Sequence, residues 1–85
     1  MKKANPRVIL YTTSQCSYCR QLKALLRQLK VPFSEFDVSK NRRAFLEFQR
    51  LQGRGVPLVV VGEQTINGYR PDQLKSALKK AGFDV

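Results

Sequence analysis

Cys16 and Cys19 are the only thiols in the chain, and two residues separate them. A strand-like run, Arg7-Val8-Ile9-Leu10-Tyr11, precedes them, and a helix-like run from Arg20 to Lys30 follows. A Cys-x-x-Cys pair set between a strand and a helix has the layout of a dithiol redox site. The nucleophile of disulfide exchange is the thiolate. If the helix begins at or just after Cys16, its free N–H groups and its dipole favour negative charge on that sulfur. Arg20 and Lys23 add positive field. Cys16 is therefore expected to titrate below an ordinary thiol and to attack. Cys19, one helical turn on, can reach back and resolve the mixed disulfide. Two thiols suffice for that chemistry, with no metal and no tightly bound cofactor.

Three plainer roles compete. A structural disulfide closing so small a loop removes little entropy from the unfolded chain. Half of a zinc site would need four ligands, and the chain has no histidine and no second cysteine pair. Two unrelated core cysteines fit poorly with the polar Ser, Gln and Tyr around them.

The positioning elements must come from one small domain spanning residues 1–85, because 85 residues leave no room for two. With 42% hydrophobic residues, a modest core is possible, and two cysteines are too few for a disulfide scaffold. No apolar run approaches the length of a bilayer span. Residues 1–6 are basic and expected to be flexible, and Val8-Ile9-Leu10 is too short for a signal-peptide core. A reducing cytoplasm is the expected compartment. Net charge is +10, from 16 Lys and Arg against 6 Asp and Glu. These cations are spread along the whole chain, and no nucleic-acid recognition motif accompanies them. Phe33, Phe36, Phe45 and Phe48 fall at apolar positions of predicted elements, which suits core packing better than base stacking. Nucleic acid is thus not an expected partner. A basic surface could instead steer acidic partners or anionic thiols toward the cysteines.

Along the chain, Arg7–Tyr11 reads as a buried strand and 12–15 as the loop carrying the cysteines. Leu22, Leu25, Leu26 and Leu29 recur at helical spacing, and Val31-Pro32 ends that helix. Residues 32–38 alternate as a second strand. Ser39 or Asn41 can cap a second helix running to about Gln52, with Ala44, Phe45, Phe48 and Leu51 inward. Leu58–Val61 and 64–66 form a hairpin about Gly62-Glu63. Pro71 opens a third helix with Leu74, Ala77, Leu78 and Ala81 inward, and Gly82 closes it. The order β-α-β-α-β-β-α implies an α/β fold. Its four-stranded mixed sheet has the first two strands parallel, the last two antiparallel, and helices on its faces. The cysteine loop leaves the C-terminal end of the first strand, where sites sit in open α/β sheets.

From about Arg7 to Ala81 the sequence resembles the glutaredoxin branch of the thioredoxin-like fold. The resemblance lies in Tyr11-Thr12 before Cys16-Ser17-Tyr18-Cys19, in Gly55-Val56-Pro57, and in Asn67-Gly68-Tyr69 before the last helix. It implies that Cys16 is the nucleophile and Cys19 the resolving thiol. Pro57 would follow a cis bond and face the cysteines; read without the resemblance, it could equally begin a strand. Val56 would offer its backbone to an extended substrate or to glutathione, as an added strand does. Gly68 would line the same site. Tyr18 and Tyr69 would form an aromatic rim, or else are surface aromatics. The activity implied is that of a monomeric oxidoreductase reducing protein disulfides and glutathione mixed disulfides, with glutathione as co-substrate and no resident metal.

Some positions depart from that pattern. Thr13 stands where many glutaredoxins have a lysine. Arg70 and Pro71 stand where many have acids that bind the amino end of glutathione; the first acid here is Asp72. Exchanging an acid for Arg70 at an exposed site changes binding by about 0–1 kcal/mol, enough to weaken or reorient glutathione but not to abolish binding. Arg54 either holds a glutathione carboxylate or is a loop cation. Gly68-Tyr69-Arg70-Pro71-Asp72 looks more like the NrdH redoxins, which take electrons from thioredoxin reductase and feed ribonucleotide reductase. Ser17 resembles some glutaredoxins that bridge a [2Fe–2S] cluster with glutathione between two protomers, which gives a third reading as a cluster carrier; alternatively Ser17 caps the helix or is simply tolerated there.

Overall fold

A computed structural model describes residues 7–85, so the expectation of flexibility over residues 1–6 lies outside the described residues. The elements run β1 (Val8–Thr12), α1 (Ser17–Gln28), β2 (Ser34–Asp37), α2 (Arg42–Arg50), β3 (Leu58–Val61), β4 (Gln64–Asn67) and α3 (Pro71–Lys80). This is the expected order. In space the strands lie β2-β1-β3-β4. β1 pairs parallel to β2, with Tyr11 opposite Phe36, and antiparallel to β3, with Tyr11 opposite Leu58. β3 and β4 form the hairpin, with Gly62 at φ 60° in the turn.

The two central strands are apolar at nearly every position because both faces of the sheet are covered. Alternation divides their side chains. Val8, Leu10, Val59 and Val61 point to one face, where Leu22 and Leu26 of α1 and Leu74, Ala77 and Leu78 of α3 cover them. Tyr11 and Leu58 point to the other, against Ala44 and Phe48 of α2. The first face therefore carries two helices and the larger core, and the second carries one.

Each helix ends in a Schellman turn, in which a left-handed residue lets the next N–H reach back to the carbonyl five residues earlier. In α1, Lys30 (φ 60°) donates its N–H to Arg27 O at 3.0 Å, and Val31 donates to Leu26 O at 2.9 Å. Gln52 (φ 63°) does the same for α2 and Gly82 (φ 103°) for α3. α1 therefore stops at Gln28, short of the expected Lys30. Val31 must turn into the core, where it is buried, and that reversal ends the helix.

Two aromatic residues depart from the core reading. Phe36 is 39% exposed and Phe45 is 40% exposed. Phe36 lies on β2, an edge strand whose neighbours cover it on one side only. In α2 the inward stripe is Ala44 and Phe48, one turn apart, and Phe45 points about 100° away from Ala44 and about 60° from Phe48. Asn41, not Ser39, caps α2, its Oδ1 accepting the Ala44 N–H at 2.9 Å. Ser39 instead donates its N–H to Asp37 Oδ1 at 2.8 Å.

Candidate active site

β1 delivers the chain to the cysteine loop at its C-terminal end. Cys16 has extended backbone (φ −101°, ψ 109°) and is the N-cap of α1. Its Sγ accepts the Cys19 N–H at 3.1 Å. The sulfur thus takes the capping place, and Ser17, offered above as one possible cap, is the first residue of α1. The first turn of α1 contains no acidic residue, so no carboxylate competes for the helix's positive end. Cys16 and Cys19 are joined as a disulfide, with Cα atoms 5.2 Å apart, an ordinary separation for a bridged pair. Cys19 is 1% exposed and Cys16 is half-buried, so an incoming thiol meets Cys16 first.

Two further loops close on the same end of the sheet. The Val56–Pro57 peptide is cis. Pro57 is buried, and its carbonyl accepts the Gly68 N–H at 2.8 Å. Asn67 ties the loops together: its Oδ1 accepts the Arg54 N–H at 3.1 Å, and its backbone carbonyl accepts Arg70 Nε at 3.1 Å. A groove runs between them, lined by Arg54, Gly55, Val56, Asn67 and Gly68. Tyr18, from the start of α1, stacks on Tyr69, with ring centroids 6.1 Å apart and planes 24° apart. The structure therefore joins the cysteine loop to the 67–70 loop through the tyrosines, and the 67–70 loop to Pro57 through Gly68. Thr13 lies half-buried in the cysteine loop and takes no part in these bonded pairs. Arg70 is exposed, with its guanidinium turned back along its own loop.

Two features escaped the sequence reading. Asn67 was legible only as a turn residue before Gly68, and its bond to Arg54 spans 13 residues. Beneath the cysteine loop, the buried Thr12 hydroxyl donates to Glu35 Oε2 at 2.8 Å, and Lys23 Nζ pairs with the same oxygen at 3.0 Å. Burial pushes the Glu35 carboxyl up, but the bonds from Lys23 and Thr12 and the charges of Lys23 and Arg27 outweigh it and hold its pKa below the usual value. Nothing in the sequence pairs positions 12, 23 and 35. Their meeting depends on the parallel β1–β2 register and on the pitch of α1.

Residues 8–66 match the family profile described as Glutaredoxin. The chain is similar to a glutaredoxin of Pseudomonas aeruginosa, 36% identical over 91% of this chain and 89% of the relative. It is also similar to the glutaredoxin-like protein NrdH of Escherichia coli, 30% identical over 80% of this chain and 84% of the relative. Among solved structures, the thioredoxin-like protein BC3987 superposes with a TM-score of 0.82 at 26% identity, covering 85% of this chain and all of that one. The fold is thioredoxin-like.

Proposed function

The chain belongs to the glutaredoxin family and is a thiol–disulfide oxidoreductase with a Cys-x-x-Cys pair, and we propose that glutathione is the donor that re-reduces it. The observation that carries the catalytic roles is the N-cap geometry. Cys16 Sγ faces the positive end of α1, accepts the Cys19 N–H, and is the more accessible sulfur. In the forward direction the Cys16 thiolate attacks one sulfur of a protein disulfide. A Cys16–substrate disulfide forms, and the other substrate sulfur leaves as a thiolate that takes a proton from water. Cys19, deprotonated in turn, attacks Cys16 Sγ. The Cys16–Cys19 disulfide forms, and the second substrate thiolate leaves. Two electrons have passed to the substrate, and the oxidised pair remains. Two glutathione molecules restore the dithiol: the first attacks Cys16 Sγ, and the second removes it as glutathione disulfide.

In this reading glutathione lies in the groove between the 54–56 and 67–68 segments, with its backbone paired to Val56 beside Pro57. Gly68 allows its close approach, Arg54 and Arg70 offer cations to its carboxylates, and Tyr18 and Tyr69 flank it with Thr13 nearby. The similarity to the Pseudomonas aeruginosa glutaredoxin supports this choice of donor. A second reading is favoured by a specific observation: Arg70-Pro71-Asp72 supplies a cation where the amino end of glutathione wants an acid. The Escherichia coli relative named NrdH supports it. In that case thioredoxin reductase would be the donor and ribonucleotide reductase the first substrate to try. Either role suits a reducing compartment such as the cytoplasm.

The test uses the Cys19→Ser protein and glutathione disulfide. One glutathionyl group on Cys16, detected by mass spectrometry and released by free glutathione, is the expected result. An unmodified Cys16, in a protein that thioredoxin reductase still reduces in its unmutated form, would transfer the proposal to the second reading.

A further inference from the structure

On the α2 side of the sheet, outside the redox cleft, four aromatic rings form a chain. Phe36 lies 6.2 Å from Tyr11, Tyr11 lies 6.3 Å from Phe48, and Phe48 lies 6.5 Å from Phe45, centroid to centroid. The inner two are buried and belong to the core. The outer two are exposed at opposite ends of that chain: Phe36 borders α2 on the side of Arg43, and Phe45 lies about 200° round the helix from Arg43. Between β2 and α2 runs a groove of about 170 Å³, lined by Tyr11, Phe36, Asn41, Arg43, Ala44 and Glu47. Small-molecule sites usually measure about 300–1,000 Å³, so this groove suits one side chain of a protein and not a cofactor.

Its charge selects the partner. Arg42 and Arg43 occupy the first turn of α2, which contains no acidic residue. Glu47 is already held by Arg50. The positive end of α2 adds to the same field. The whole chain carries 16 cations against 6 acids, which favours encounter with acidic surfaces. The groove also lies within reach of the redox chemistry. Tyr11 leads through Thr12 straight into the cysteine loop, and five residues of chain span at most about 18 Å.

We propose that this groove docks an acidic segment of the protein substrate, with a large apolar side chain seated between Phe36 and Ala44 and a carboxylate paired to Arg43. This rests on the oxidoreductase function above, since it extends the contact with a disulfide-bearing protein beyond the cysteines. Aromatic and arginine side chains together are the usual composition of interface cores.

The test is fluorescence anisotropy of a fluorescein-labelled, cysteine-free peptide of Asp and Glu around a central Phe, titrated with the full-length protein. Arg43→Glu and Phe36→Ser are each expected to weaken binding by about fivefold or more, and Lys79→Glu, on α3, by less than about twofold. Replacing the peptide's Phe by Ser is expected to weaken binding similarly. Equal loss in Lys79→Glu and Arg43→Glu would mean diffuse charge attraction and would overturn the proposal. So would no binding, an unchanged Phe36→Ser, full competition by single-stranded oligothymidine, or a protein dimer that Phe36→Ser dissociates. The peptide contains no sulfur. Failure to reduce a small neutral disulfide would therefore strike the proposed function and leave this result standing.

Discussion

Replacing Glu35 separates charge from hydrogen bonding at the foot of the redox loop. Its carboxylate accepts the Thr12 hydroxyl at 2.8 Å and meets Lys23 Nζ at 3.0 and 3.2 Å. The Lys23 and Glu35 side chains are 22% and 34% exposed, so the ion pair contributes only about 0–1 kcal/mol. The bond from the buried Thr12 to a charged acceptor, discounted for the exposure of Glu35, contributes about 1–2 kcal/mol. Glu35→Ala loses both, about 1–3 kcal/mol. At about 4–8 °C per kcal/mol for a domain of this size, Tm should fall by roughly 4–24 °C. Glu35→Gln keeps an acceptor for Thr12 and loses only the charge, so Tm should fall by at most roughly 8 °C. Scanning calorimetry at pH 7 and low salt measures both.

The pH dependence has a definite sign, because the folded pKa of Glu35 is depressed. Its contribution is present above the unfolded value, about 4.3, and is lost as pH falls through the folded value. The gap between the unmutated protein and Glu35→Gln should be full at neutral pH and should close in acid. A gap that persists unchanged at the acid end, or a Glu35→Ala protein no less stable than Glu35→Gln, would refute this reasoning.

Lys30→Gly should stabilise the fold by about 0.5–1 kcal/mol in urea denaturation, because a left-handed C′ position is strained for a side chain and natural for glycine. Gly53→Ala should destabilise by about 1–3 kcal/mol in the same assay, since a Cβ there would lie 2.6 Å from two ring carbons of Phe48 and the ring is already packed in the α2 core. Asn67→Ala removes the acceptor for the Arg54 N–H, a loss of about 0.5–1 kcal/mol. Steady-state kinetics should show KM for glutathione rising severalfold with kcat little changed.

The legible parts of the molecule are those fixed by local pattern. The continuous apolar runs of β1 and β3, the helical spacing of Leu22 and Leu26, and Pro71 at the start of α3 each announce their element. The cysteine spacing between β1 and α1 announces the redox chemistry. What escaped was set by tertiary arrangement. Phe36 reads as core until β2 is known to be an edge strand, and Phe45 until α2 is known to bury only a narrow stripe. Val31-Pro32 announces the stop of α1, but the left-handed turn at Lys30 that places it two residues early depends on Val31 turning into the core. Thr12, Lys23 and Glu35 come from three elements, and Asn67 reaches Arg54 across a hairpin. Such contacts exist only once the sheet order is known.

The most direct measurement compares two reducing systems for turnover of a low-molecular-weight disulfide, both read as NADPH oxidation. One contains glutathione and glutathione reductase; the other contains thioredoxin reductase and no glutathione. The expected result is turnover in the glutathione system, abolished by Cys16→Ser. Turnover only with thioredoxin reductase would contradict the choice of glutathione as donor and make the chain an NrdH-like redoxin.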